Sequence, residues 1–447
     1  MSSTVPLMEP QPEYTRLSHA GESRRVSLSQ DDDNTAERAA LKRHTAGRLE
    51  SSKSKLYAVV ALFIISLLSF VSQTELTSYL YNSLDYDQPY LLLVLTHSSW
   101  LFIWPTQVIS IAIYKHIKRS RKHGYSFFDP YYIKRNFHDS IRNQHRNVYK
   151  TSGTIINEHY TQDFEFPHSI SEFIMGKSMI HIIKCVFALT LILNTAGVTW
   201  YIAMAMAPAS DITAIYNCSA FTALLFAVPI LHERFTYVKL SAVGLAIAGV
   251  FFVAYGGDDD GTSGNDDFPD RVAGDMIIAI GAIMYGLYEV LYKKLVCPPL
   301  NAVSSRRLVA FSNFCASLIG LSTLSLGWML VILADLMGWS KFHWIPSAYT
   351  WLIIIISVVC NLVFSLSFLS LMSLTSPVLS SVSSLVTIFI VGLVEWVLFG
   401  VNISFGQVIG DLFVIVGFGV LSYSYWAEIT EEDVDDESDI DPTDTEA

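Results

Sequence analysis

Long apolar runs separated by short polar breaks fill the chain between residues 57 and 426. A bilayer core of about 30 Å needs about 20 apolar residues for each helix that spans it. The pattern predicts ten such helices, at 57–80, 90–114, 180–205, 211–231, 238–255, 274–296, 308–334, 349–371, 376–398 and 405–426. Pro208 divides the third from the fourth, and the stretch 375–377 divides the eighth from the ninth. A long unbroken helix is the alternative at either place.

The distribution of Lys and Arg gives an independent test, because positive residues stay on the cytoplasmic side of a membrane protein. With the N-terminus inside, the predicted cytoplasmic segments 1–56 and 115–179 hold 9 and 11 basic residues. The predicted outside loops hold only Arg271 and Lys341. The chain is therefore predicted to be an all-α polytopic membrane protein with ten transmembrane helices and both termini in the cytoplasm.

Composition agrees with this prediction and shows where the net charge lies. Hydrophobic residues make up 51% of the 447 residues and charged residues 16%, against about 25% charged in a soluble domain. The formal net charge of −12 comes almost wholly from residues 428–447, which hold 11 acidic residues and no Lys or Arg. We expect a disordered cytoplasmic arm at 1–56 and an acidic, disordered cytoplasmic tail at 427–447.

The two halves of the predicted bundle resemble each other. Ser210 to Thr213 precede a long apolar run that ends in Leu231 to Thr236, and a glycine-bearing helix follows. Thr375 to Pro377 precede a second apolar run that ends near Glu395, again before a glycine-bearing helix. The predicted repeats are 57–255, which includes the long basic loop 115–179, and 274–426. An acidic non-cytoplasmic loop, 256–273, joins them. Repeats of five helices have opposite orientations, which is the inverted-repeat architecture of secondary transporters.

These residues resemble the drug/metabolite transporter superfamily. The sequence HERFT at His232 to Thr236 is similar to the ending of the superfamily's EamA-type repeat, whereas Glu395 is followed by Trp396 and departs from it. The stretch from Tyr285 to Lys294 looks like the sixth helix of the F-type branch of the solute carrier 35 family, in a fungal-like member. The resemblance implies transport of a nucleotide-sugar, a thiamine-like molecule or another metabolite. It also implies a vacuolar, Golgi or endoplasmic reticulum membrane.

Polar side chains within the predicted helices are candidates for substrate binding, because they are costly in lipid unless they face the bundle interior. Their helical spacing groups them on single faces. The candidates are Gln73, His97, Asn194, Tyr201, Tyr216, Asn217, Tyr285, Tyr288, Asn361, Ser380 and Ser384. Each also has a structural interpretation, since Ser and Thr bond to their own helix and tyrosines occupy the membrane interface.

Charged residues within or beside the helices are candidates for gating. They are Lys184, Glu233, Glu289, Lys293 and Glu395. Lys184 could attract an anionic substrate or extend to the lipid headgroups. Glu289 and Lys293 are four residues apart, so a local ion pair is the alternative to a gate or a cation contact. Glu233 and Glu395 end equivalent helices, where structural capping is the alternative to gating.

A secondary transporter that binds a small polar or aromatic solute between its two halves is the leading hypothesis. No ATP-binding loop, metal cluster or catalytic motif is apparent, so we expect no enzyme activity, no cofactor, no metal and no nucleic-acid partner. A non-transporting receptor or scaffold and a membrane-embedded enzyme are the alternatives. The expected partners are the solute and the lipid bilayer, with sorting partners for the acidic tail. Gly406 and Gly410 predict tight packing within the bundle or in a homodimer.

Overall fold

The described part of the chain is all-helical. A computed structural model describes residues 57, 59–124, 126–156, 167, 169–207, 209–232, 236–255, 270–299, 302–374, 386–399 and, with single-residue gaps, 405–424. The helices are α1 (Val59–Asn82), α2 (Pro89–Ser98), α3 (Ile103–His123), α4 (Pro130–Ile155), α5 (Ile170–Met175), α6 (Lys177–Ala203), α7 (Ala209–Asn217), α8 (Ser219–Leu231), α9 (Tyr237–Tyr255), α10 (Arg271–Val296), α11 (Ser305–Met337), α12 (Ala348–Leu374) and α13 (Val386–Phe399). The described residues between 405 and 424 are helical too.

Seven helical stretches among the described residues are long and apolar enough to cross a membrane. They are Val59–Asn82, Pro89–His123, Lys177–Ala203, Ile212–Leu231, Val272–Val296, Arg306–Met337 and Ala348–Leu374. In chain order, these stretches coincide with the first to fourth predicted spans and with the sixth, seventh and eighth. The fifth predicted span is helical as α9, whereas the division at 375–377 lies outside the described residues. The total of ten helices and the inverted repeat stay predictions.

Apolar side chains exposed on these helices have the spacing of a lipid-facing surface. Large apolar residues four apart are about half exposed on three helices: Ile64 and Leu68, Phe187 and Leu191, and Ile355 and Val359. A soluble protein rarely exposes a continuous apolar surface of this kind. These helix faces are therefore suited to contact with lipid.

The predicted break between the third and fourth spans is confirmed. Helix α6 ends at Ala203 and α7 begins at Ala209. Tight turns close the end of α6, with the amides of Met206 and Ala207 bonded to the carbonyl of Ala203 at 2.9 and 3.0 Å. Two spans separated by a short turn therefore replace the long continuous helix that was the alternative.

The second predicted span is not a single α-helix. A 3₁₀ turn at Ser99–Phe102 separates α2 from α3. Pro105 lies just after the turn and has no amide to bond to Leu101, so the α-helical ladder is interrupted there. Helix α11 compensates for the interruption: Ser317 Oγ accepts from the amide of Trp104 at 2.8 Å and donates to the carbonyl of Trp100 at 3.1 Å.

The predicted polar loop 115–179 is mostly helical. Helix α3 continues to His123, and α4 begins behind Asp129, whose carboxylate accepts from the amide of Tyr131 at 3.0 Å. Helix α4 packs against α3, α6 and α11. Its buried face is mainly polar, at Asn136, Ser140, Gln144, Val148, Thr151 and Ser152. A search for apolar runs misses such a helix because its inward residues recur at helical spacing without being apolar.

Helix α10 lies against both α6 and α8, and small residues allow this close approach. A Cβ added to Gly286 would lie 2.8 Å from Ala223 N and from Ser219 O of α8. A Cβ added to Gly281 would lie 3.3 Å from Thr199 Cβ of α6. Glycine at these positions brings α10 near enough for its tyrosines to face the other helices.

The contact between α11 and the 3₁₀ turn leads to a test. A Cβ on Gly320 would lie 2.8 Å from the carbonyl carbon of Trp100 and would also meet the backbone of Leu101. We expect Gly320→Val to lower the free energy of unfolding by about 1–3 kcal/mol, because backbone atoms must move apart. Denaturation in mixed micelles measures the change.

Gly244→Ala is the matched control, because nothing lies within 4 Å of a Cβ added at Gly244 on α9. We expect this second variant to be as stable as the parent protein or slightly more stable. Equal stability losses for the two variants would contradict the close contact between α11 and the turn.

Candidate functional site

Residues from α1, α2, the 3₁₀ turn, α6, α7, α10 and α12 surround one cavity. Its free volume is about 50 Å³. One side is polar and is formed by Gln73, His97, Trp100, Tyr201 and Asn361. The other side is largely aromatic. The two sides differ in chemistry.

A chain of hydrogen bonds runs in one direction along the polar side. Trp100 Nε1 donates to Asn361 Oδ1 at 2.8 Å, and Asn361 Nδ2 donates to Gln73 Oε1 at 3.1 Å. Gln73 Nε2 donates in turn to the hydroxyl of Tyr201 at 3.3 Å. Because an indole nitrogen only donates, it fixes the orientation of both amides. The chain links the 3₁₀ turn to α12, α1 and α6.

The chain continues from α6 to α2. The hydroxyl of Tyr201 donates to Thr96 Oγ1 at 3.0 Å, and Thr96 Oγ1 lies 3.2 Å from His97 Nδ1. The His97 ring stacks on Trp100, with ring centroids 4.9 Å apart and planes at 29°. A Cβ on Gly197 would lie 3.5 Å from the imidazole, so α6 passes close to this ring. The polar side is therefore held by partners on four helices.

Tyrosines and phenylalanines form the opposite side. Tyr285 of α10 is central: its ring centroid lies 5.0 Å from that of Tyr216, 5.9 Å from Tyr288 and 6.2 Å from Phe368. Phe368 stacks on Phe364 at 5.4 Å. Ring separations of 4.5–7 Å are typical of favourable aromatic pairs. These rings give the cavity a continuous aromatic wall.

Seven of the eleven predicted binding residues line this cavity. They are Gln73, His97, Tyr201, Tyr216, Tyr285, Tyr288 and Asn361. Four aromatic residues that the sequence does not predict also line the cavity: Phe70, Trp200, Phe364 and Phe368. Helical spacing indicates two of these, because Phe364 and Phe368 follow Asn361 by three and seven residues and so lie on the same helix face.

The remaining predicted binding residues lie elsewhere. Asn194 Oδ1 accepts from Thr323 Oγ1 of α11 at 3.1 Å, so this amide joins two helices. Asn217 Nδ2 donates to the carbonyl of Thr213 at 2.8 Å and lies 3.4 Å from Thr387 Oγ1 of α13. Ser380 and Ser384 fall outside the described residues.

The predicted gating residues have different surroundings. Lys184 is exposed on α6, as expected of a side chain that extends to the headgroups. Glu289 is fully buried on α10. Lys293 Nζ donates to the carbonyls of Met372 and Ser373 at 3.3 and 3.0 Å, at the end of α12. Glu233 and the side chain of Glu395 lie outside the described part.

The described residues are all helical or lie in short connections, expose apolar outer faces, include seven candidate spans and surround a cavity, which defines a multi-pass membrane protein. Residues 59–425 match the family described as ceramide synthase regulator (CSG2), so the chain belongs to that family. The match identifies this family and not the EamA-type family that the sequence motifs resemble.

Two further likenesses are more limited. The protein named "Uncharacterized transporter C405.03c" from Schizosaccharomyces pombe (strain 972 / ATCC 24843) is 30% identical over 217 residues, which are 48% of this chain. The match spans 61% of that relative's length. A solved structure described as "Crystal structure of protein" has a TM-score of 0.47 and 15% identity, over 83% of this chain and 98% of its own.

The hydrogen bond between Trp100 and Asn361 leads to a double-mutant test. We expect the single changes Trp100→Phe and Asn361→Leu to couple by about 0.6–1.7 kcal/mol, the range for hydrogen bonds between membrane helices. Trp100→Phe keeps an aromatic ring beside His97 and removes the indole donor, and the cycle cancels the effect of the smaller ring. The free energy of unfolding in mixed micelles measures each variant.

Trp104 provides the control, because it packs edge-on against His145 and Phe314 instead of bonding to Asn361. We expect Trp104→Phe and Asn361→Leu to be additive. Equal coupling in the two cycles would contradict the directional chain.

Proposed function

We propose that this protein is a secondary transporter that binds a small organic solute in the cavity between its helices. The observation that carries the proposal is the cavity itself, in which a neutral polar side faces an aromatic wall. Ligand sites combine apolar walls with a few convergent polar groups in this way. The match to an S. pombe protein named as a transporter supports the same interpretation.

The arrangement of the lining fits alternating access. Helices α1, α2, α6 and α7 come from the first predicted repeat, and α10 and α12 come from the second. In transporters built from repeats, the substrate lies at the repeat interface and irregular helices border it. Trp100, in the 3₁₀ turn, and Tyr216, at the end of α7, occupy such positions. Relative movement of the repeats would open the cavity to one side at a time.

The proposal includes the finer topology. Ten spans form two inverted repeats of five, both termini are cytoplasmic, and the protein resides in a vacuolar, Golgi or endoplasmic reticulum membrane. Basic residues concentrated in 1–56 and 115–179 support this orientation. Cysteines placed in 256–273 and in the tail should react with impermeant reagents from opposite sides of the membrane. Labelling of both from one side would contradict an odd number of spans between this loop and the tail.

Exchange in proteoliposomes tests transport. We expect the purified protein to exchange at least one labelled solute from a panel of nucleotide-sugars, vitamins and organic amines. Asn361→Leu and Gln73→Leu should each lower the rate about two- to twelvefold, because each removes hydrogen-bonding capacity worth about 0.5–1.5 kcal/mol. Lys184→Gln is the control and should retain the rate, because Lys184 is exposed and away from the cavity lining.

A second candidate function is regulation of a lipid-synthesising enzyme without transport. The family match over residues 59–425 favours it, since the family is described as ceramide synthase regulator. In cells that lack the protein, regulation predicts an altered ceramide profile, restored equally by the parent protein and by Asn361→Leu. Absence of exchange for every solute, with this restoration, would favour regulation over transport.

A further inference from the structure

We propose that the cavity recognises an organic ammonium group, whose positive charge lies against the tyrosines of α10 and near Glu289. This inference rests on the proposed role of the cavity as the solute site and names its substrate class. Three kinds of observation support it: the aromatic faces, the buried carboxyl group next to them, and the absence of competing cations from the described lining.

The aromatic wall has the chemistry of a cation site. Tyr216, Tyr285 and Tyr288 line the cavity within 5.0–5.9 Å of a neighbouring ring. Phe364 and Phe368 extend the wall from α12. The face of an aromatic ring is electron-rich, and several rings together bind ammonium groups whose hydration has been removed. A site within a membrane removes that hydration.

Glu289 supplies negative charge beside this wall. It is fully buried on α10, four residues after Tyr285 and one after Tyr288. Because residues four apart lie on the same side of a helix, Glu289 and Tyr285 share one face of α10. A buried carboxylate stabilises a nearby cation far more strongly than one in water does, because the surrounding dielectric constant is low.

Positive groups of the protein do not line the described part of the cavity. None of its described lining residues is Lys or Arg, and His97 lies on the polar side, 3.2 Å from Thr96 Oγ1. Lys293 lies one turn beyond Glu289, and its ammonium group donates to two carbonyls at the end of α12. Such a lining provides no Lys or Arg side chain to neutralise a phosphate, which favours a cation over an anionic nucleotide-sugar.

The ammonium group can belong to a compact solute or to a long-chain amine dissolved in the bilayer. Full-length protein in nanodiscs is titrated with choline, with its neutral isostere 3,3-dimethyl-1-butanol, with octadecylamine and with UDP-glucose. Thermal stabilisation and calorimetry measure binding. We expect saturable binding of choline or octadecylamine, with at least about tenfold weaker binding of the neutral isostere. Choline indicates a compact solute, and octadecylamine alone indicates a lipid-borne amine.

Variants of the wall and of the carboxyl group complete the test. Glu289→Gln and Tyr285→Leu should each weaken ammonium binding about tenfold, whereas Tyr285→Phe should retain it. Asp139→Asn and Tyr131→Leu are the controls: Asp139 of α4 pairs with Arg119 of α3 at 3.7 Å, and Tyr131 is exposed. If Glu289→Gln does not give a monodisperse protein, the comparison of Tyr285→Leu with Tyr285→Phe still tests whether the aromatic ring binds the ammonium group.

Two outcomes would overturn the inference. One is equal binding of choline and 3,3-dimethyl-1-butanol, and the other is unchanged ammonium binding in both Glu289→Gln and Tyr285→Leu. Exchange of UDP-glucose without ammonium binding would reject the substrate class and leave transport intact. Ammonium binding without exchange of any solute would reject transport and leave the ammonium site intact.

Discussion

The need to pair polar groups away from water organises the interior of this protein. An unpaired polar atom in a hydrocarbon environment costs several kcal/mol, so a polar side chain at membrane depth must find a partner on its own or a neighbouring helix. One chain of hydrogen bonds pairs several of these groups at once. It runs from Trp100 through Asn361 and Gln73 to Tyr201, with each donor bonded to the next acceptor. The positions of four helix segments follow from that one arrangement.

The same constraint explains how the chain tolerates an irregular helix at membrane depth. The 3₁₀ turn before Pro105 disturbs the normal backbone pairing, and Ser317 both donates to and accepts from the backbone at Trp100 and Trp104. Gly320 lets α11 come close enough for those contacts. The irregularity then has a use, because it directs the Trp100 indole to Asn361 and its ring to His97. A regular helix would place that side chain differently.

The sequence predicts the helices and several polar cavity residues, but it does not predict some of the aromatic cavity residues or the partners of the buried amides. Apolar run length predicts helices because the bilayer sets it, and polar residues such as Gln73 and Asn361 stand out against an apolar background. Phe364 and Phe368 do not stand out there, although they share the face of Asn361. The same rule predicts Asn194 and Asn361 as binding residues, yet Asn194 bonds to Thr323. Sequence shows that an amide needs a partner and does not show whether a helix or a cavity provides it.

Helix α4 is held to its neighbours by polar contacts. Its inward residues Asn136, Gln144 and Thr151 bond respectively to His116, to the carbonyl of Val108 and to Arg307. Polar contacts thus attach α4 to α3 and α11, the two helices that adjoin the 3₁₀ turn. Because α11 also holds the turn through Ser317, the cavity wall at Trp100 and the polar segment after α3 share one structural support.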